Sequence, residues 1–195
     1  MSRQIEYDRQ MLLLKSMEIF WEKGYSSTSI QDIVKATNVK PGSLYAAFGS
    51  KEGLFKASTE FYFDYMFQSV KLIFDRDIPP LEKIELFFDD ILLSLLTTEK
   101  REGCLLVKTL MLMPVDKKEL QATSVVMFEE LEKLFIIELD KAQADGTLNN
   151  QDSKMLAKFL INTIYGLHIY NIYNASVETI KGIINMQLKS LGIKK

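Results

Sequence analysis

The chain has 195 residues, 47% of them hydrophobic, with a formal net charge of −2. That length and apolar content exclude a disordered chain and suffice for one domain, or for a small domain followed by a larger one. The near-zero charge withholds the strong basic footprint that a nucleic-acid partner usually leaves.

The composition predicts an all-α protein: only four Pro and nine Gly, with helix formers such as Leu, Met, Lys and Glu abundant. The opening "MSRQIEYDRQ" has no apolar leader, and no apolar run reaches the roughly 18 residues of a membrane span. The expectation is a cytoplasmic protein without a membrane partner. Over residues 8–23, Leu13, Met17 and Phe20 recur at i, i+4 and i+7, and Gly24 follows as a stop, so a first helix is expected there. "TSIQDIVKAT" predicts a short second helix with a capping box, Thr28 at the N-cap and Gln31 three residues on. Asn38 tolerates the left-handed backbone of a tight turn, and Pro41 suits the first turn of a third helix over residues 41–48. On that helix Leu44 and Phe48 are spaced to face a small core, which turns Lys40, Ser43, Tyr45 and Ala46 outward.

Ser50 then caps a fourth helix, with Glu52 in its first turn where a negative charge suits the helix dipole. Lys51 is a cation at a helix N-terminus, mildly unfavourable unless an external anion sits on the same amides. Further helices are expected over residues 51–74, 80–97, 103–113, 117–144, 151–173 and 176–191, bounded by Pro, Gly, Asn or capping residues.

Two short helices joined by a tight turn, the second with a polar exposed face, have the make-up of a helix-turn-helix, whose second helix enters the major groove. The residues are more specific. "GYSSTSIQDIVKATNVKPGSLYAAFGSKEGLF" closely resembles the N-terminal domain of TetR-family transcriptional regulators, through Gly24, Tyr25, Thr28, Ser29, Ile30, Ile33, Val34, Val39, Gly42, Leu44, Tyr45, Phe48, Lys51, Glu52 and Leu54. The motif covers about residues 8–56, and the remainder resembles the family only in length and helical layout.

The resemblance implies a DNA-binding domain over residues 1–53, with the motif at about 29–48, and a ligand-binding and dimerisation domain over 54–195. It implies that Tyr45 and Lys51 touch phosphates, that Ser29 and Gln31 lie near the DNA backbone, and that Lys40, Pro41, Gly42 and Ser43 meet base edges, with Ala46 beside them. Asn38 stands where the family usually has Gly, and Ala46 and Ala47 replace a frequent aromatic or His pair, which removes possible phosphate contacts. The last two helices would pair with their copies in a homodimer, with Ile161, Ile164, Leu167, Ile183 and Ile184 as candidates for the seam.

The region after residue 54 is rich in aromatic and Met side chains, and Phe61, Tyr65, Phe88, Met111 and Tyr165 are candidates for an effector pocket, with Cys104 and His168. Residue by residue such side chains are more often core, but together they permit an apolar or aromatic small molecule. One cysteine and one histidine exclude an internal disulfide and supply no ligand set for a metal or cofactor. His168 reads as a hydrogen-bonded packing residue. Cys104 reads as a small buried hydrophobe or as a thiol in the first turn of a helix, made reactive by the dipole and by Lys100 and Arg101.

The expected function is that of a homodimeric repressor released from a palindromic operator by a small apolar or aromatic effector. The alternatives are an electrophile- or redox-responsive repressor acting through Cys104, and a helical ligand carrier or enzyme without DNA binding. For an enzyme no carboxylate pair or nucleophile with its base stands out.

Overall fold

The computed structural model describes residues 2–97, 103–171 and 176–193, with side chains from residue 9 onward. Every regular element among them is helical: α1 (Ser2–Lys23), α2 (Ile30–Thr37), α3 (Pro41–Phe48), α4 (Lys51–Phe74), α5 (Pro80–Leu86), a π-helical segment (Phe87–Leu92), α6 (Leu93–Thr97), α7 (Leu105–Leu112), a 3-10 turn (Val115–Lys117), α8 (Lys118–Ala144), α9 (Ser153–Asn171) and α10 (Val177–Ser190). The expected all-α class is therefore what the chain adopts.

Several boundaries differ from the expected ones for local reasons. α1 begins at Ser2, because Arg, Gln and Glu sustain a helix by propensity where no apolar stripe reports it. The capping box of α2 is Ser29 with Asp32, not Thr28 with Gln31: the Ser29 hydroxyl accepts from the Asp32 amide at 3.1 Å and the Asp32 carboxylate accepts from the Ser29 amide at 2.8 Å. Thr28 is instead buried and donates to the Gly24 carbonyl at 2.8 Å, closing the end of α1. α9 starts at Ser153 because the Asp152 carboxylate accepts from the amides of Lys154 and Met155. The expected end of that helix at residue 173 lies outside the described residues.

The largest departure is the stretch read as one helix over residues 80–97. It is α5 and α6 joined by the π-helical turn Phe87–Leu92. Wider turns advance less per residue, so the consecutive Phe87 and Phe88 both bury their rings. An apolar period cannot register such an insertion.

By compactness the chain divides into two units. The first comprises the segment up to Met66 together with Leu105–Val126; the second comprises Phe67–Cys104 together with the chain from Met127 onward. The core of the first is built from Leu12, Phe20, Ile33, Leu44, Leu54 and Phe55, joined by Met113 and Leu120 from the later segment. Its helix-to-helix turn is set by Asn38, at φ 57°, whose amide donates to the Val34 carbonyl at 2.8 Å. Left-handed backbone costs a residue with an ordinary Cβ about 1–2 kcal/mol. Asn38→Ala should lower the urea midpoint of unfolding by an equivalent of about 1 kcal/mol, whereas Asn38→Gly should not.

The second unit centres on the rings of Phe74, Phe87, Phe88 and Phe135, whose centroids lie 5.2–6.5 Å apart in mostly edge-on contacts. Beside them Lys83 is buried, and its ammonium donates to the Phe74 carbonyl at 2.8 Å and faces Glu138 at 3.5 Å. Glu138 also accepts from Lys141 at 2.8 Å, so the buried charges are paired.

Ile161, Ile164, Leu167 and Ile184 are all buried in this unit, which corrects their expected place on a dimer seam. Apolar spacing marks the face a helix turns to its own core, and that face is already covered within one chain. The opposite side of α9 exposes Met155, Phe159, Asn162, Gly166 and Tyr170, and α10 exposes Gly182 and Met186.

Candidate DNA-binding surface

α3 is anchored by Leu44 and Phe48 and displays the rest. Leu44 is buried in the core and Phe48 half-buried against it, whereas Lys40, Pro41, Gly42, Ser43, Ala46 and Ala47 are exposed and Tyr45 keeps 49% of its surface. The helix holds no acidic residue, and its first turn, opened by Pro41, has no side-chain cap. A short, uncharged ridge with a free amide end can approach a polyanion closely.

Around this ridge stand cations that the sequence placed only in part. Arg9 of α1 lies 5.6 Å from the centroid of the Phe48 ring, a residue that the motif did not single out. Gln31 is exposed on α2. Ser29 is exposed too, but its hydroxyl is engaged with Asp32 at 2.6 Å, so it serves the cap. Lys23 pairs with Asp32 at 2.8 Å, and this contact, with Ser29, holds the Asp32 carboxyl well below the usual carboxylate range.

The start of α4 is organised by residues distant in the chain. Ser50 accepts from the Gly53 amide at 3.1 Å and so caps the helix, as its position implied. The Lys51 ammonium lies 4.4 Å from the centroid of the Tyr25 ring, which itself packs against Phe20 and Phe55. Burial lowers the pKa of Lys51, opposed by Glu52 and reinforced by Lys117. Glu52 turns away to accept from Lys117 of the 3-10 turn at 2.8 Å. Lys117 first, then the α4 backbone, the Tyr25 hydroxyl and Ser50, hold the Glu52 carboxyl down at about 2. Burial, with Glu52 beside it, pushes Tyr25 up to about 12. No spacing rule could have joined Glu52 to Lys117, 65 residues away.

The candidate effector residues divide between the units. Phe61 packs against the core of the first unit, where Tyr65 and Met111 are exposed. In the second unit Phe88 belongs to the aromatic cluster, Tyr165 meets Phe128 edge-on at 4.8 Å, and His168 is 5% exposed. Burial pulls the His168 imidazole down to about 4, and among the described residues its Nδ1 has no hydrogen-bond partner, facing the position a Cβ of Gly103 would take at 3.8 Å. Cys104 is 7% exposed and immediately precedes α7, outside its first turn; Lys100 and Arg101 lie outside the described residues. Among the described residues no group of His, Cys, Asp and Glu could hold a metal ion, and no helix is long and apolar enough to cross a membrane.

Comparison with known proteins agrees with this geometry. Residues 12–58 match the model of the bacterial regulatory proteins of the tetR family. The chain is 29% identical over 185 residues to the transcriptional repressor ComR of Escherichia coli K12, covering 94% of this chain and 88% of that one. It is 30% identical over 164 residues to the repressor DhaR of Mycobacterium sp. GP1, covering 81% and 79%. Among solved structures, a cysteine mutant of the regulator CifR bound to a 26-base-pair operator superimposes with a TM-score of 0.82 at 26% identity, covering 93% of this chain and 95% of that one.

Proposed function

This chain belongs to the TetR family of DNA-binding transcriptional repressors, which are not enzymes, and from that premise we propose how it binds its operator and lets go. Residues 1–53 bind DNA and residues 54–195 carry dimerisation and effector binding. Two copies related by a two-fold axis hold a palindromic operator in the cytoplasm, one α3 in each of two successive major grooves. The observation that carries this reading is the ridge of α3, anchored only through Leu44 and Phe48, with Tyr45 exposed and Lys51 close by in sequence at the start of α4. Lys40, Pro41, Gly42 and Ser43 meet base edges with Ala46 beside them, Gln31 lies at the backbone, and Tyr45 and Lys51 hold phosphates.

The dimer forms through the exposed side of α9 and α10. Release follows when a small apolar or aromatic molecule enters the C-terminal part and favours a dimer whose recognition helices are wrongly spaced, so that its differential affinity for the two states sets the response. His168, Tyr165 and Phe88 support an effector site there, because a buried imidazole whose Nδ1 has no partner among the described residues offers an otherwise apolar ligand one polar anchor. The burial of Cys104 favours this reading over release by thiol-reactive compounds, to which the sulfur has little access.

Salt-titrated binding to a duplex selected by the wild-type protein from a random pool tests the phosphate contacts. Lys51→Ala should reduce the slope of log K against log salt by about 0.9 per half-site, and Tyr45→Phe should weaken binding by about 1 kcal/mol per half-site. Isotherms unchanged for both variants at every salt concentration would sink the assignment.

A further inference from the structure

Lys51 and Glu52 are adjacent at the N-terminus of α4, where a phosphate would meet both charges. Left to itself, Glu52 would compete for the Lys51 ammonium and repel the phosphate. The fold prevents this from a distant segment. Lys117, the last residue of the 3-10 turn, donates to the Glu52 carboxylate at 2.8 Å, while the Lys51 ammonium rests 4.4 Å from the centroid of the neutral Tyr25 ring and feels Glu52 only through space. Asp116 precedes Lys117 and Glu119 follows two residues on, yet its ammonium makes its ion pair with Glu52.

We propose that Lys117 is a positioning residue for operator binding: by occupying Glu52 it keeps the Lys51 ammonium available to the DNA phosphate without touching the DNA itself. This rests on Lys51 being a phosphate contact. Both partners of the pair remain partly exposed, at 34% and 39%, so solvent screens the effect. Exposed pairs of this kind are worth about 1.5- to 5-fold in an equilibrium, hence about 2- to 25-fold over two half-sites.

The test is equilibrium binding of the full chain to the wild-type-selected duplex, between about 50 and 200 mM salt. Lys117→Ala should weaken binding within that range, Lys117→Arg should retain it, and Lys117→Ala combined with Glu52→Gln should return to the wild-type level or tighter. A purely structural ion pair predicts the opposite for the double variant, since it is broken in both. Unchanged binding by Lys117→Ala, or a loss that persists in the double variant, overturns the proposal. Lys51→Ala, measured alongside, separates the premise: an unaltered affinity and salt slope there overturns the phosphate contact, whereas a lowered slope with an inert Lys117→Ala overturns only the role of Lys117.

Discussion

Gly166→Arg should leave the protomer folded, turn the protein into monomers and remove its high-affinity operator binding. Gly166 stands mid-helix on the exposed side of α9, and a Cβ built there meets nothing within 4 Å in the single chain. A helical glycine is about 0.8–1 kcal/mol less favourable than alanine, so within the protomer the substitution should be neutral or stabilising. Phe159 and Tyr170 flank it on the same exposed stripe; in the proposed dimer that stripe would meet its copy across the two-fold axis, where a close helix packing would leave no room for a guanidinium. Burying that charge unpaired costs several kcal/mol. One half-site then binds alone, and affinity falls from the roughly 10⁻⁸ to 10⁻¹¹ M of specific operators towards the roughly 10⁻⁴ to 10⁻⁶ M of non-specific binding. Sedimentation equilibrium and duplex titration on the same preparation check both parts, and a persistent dimer with wild-type affinity would remove this face from consideration.

Gly53→Ala should cost the operator complex at least about tenfold in affinity and the fold about 2–3 kcal/mol. A Cβ at Gly53 would overlap the carbonyl oxygen of Phe48, the last residue of α3, and that atom belongs to the backbone and cannot swing aside. The α3–α4 corner must therefore open, which moves the exposed ridge away from Lys51 and strains the Ser50 cap that accepts from the Gly53 amide. The gain in helix propensity from Gly to Ala, at most about 1 kcal/mol, is too small to offset this. Thermal unfolding with duplex titration reads both effects. A variant as stable and as tight-binding as wild type would show that the corner yields without consequence.

The sequence by itself determined the helices, the short α3 with Leu44 inward and Tyr45 outward, the left-handed turn at Asn38 and the Ser50 cap, because each depends on residues within a few positions of one another. Even there, the expected capping box was not the one formed: Ser29 with Asp32 caps α2, and Thr28 closes the end of α1. Tertiary structure alone decided the rest. It put the Tyr25 ring against Lys51 and Lys117 on Glu52, widened the helix at Phe87–Leu92 and assigned Phe61, Tyr65 and Met111 to one unit and Phe88, Tyr165 and His168 to the other. It also turned Ile161, Ile164, Leu167 and Ile184 inward. Periodicity reports that a helix has an apolar face but not which surface covers it, and the partner of a charge 65 residues away is chosen by packing, which no local spacing records.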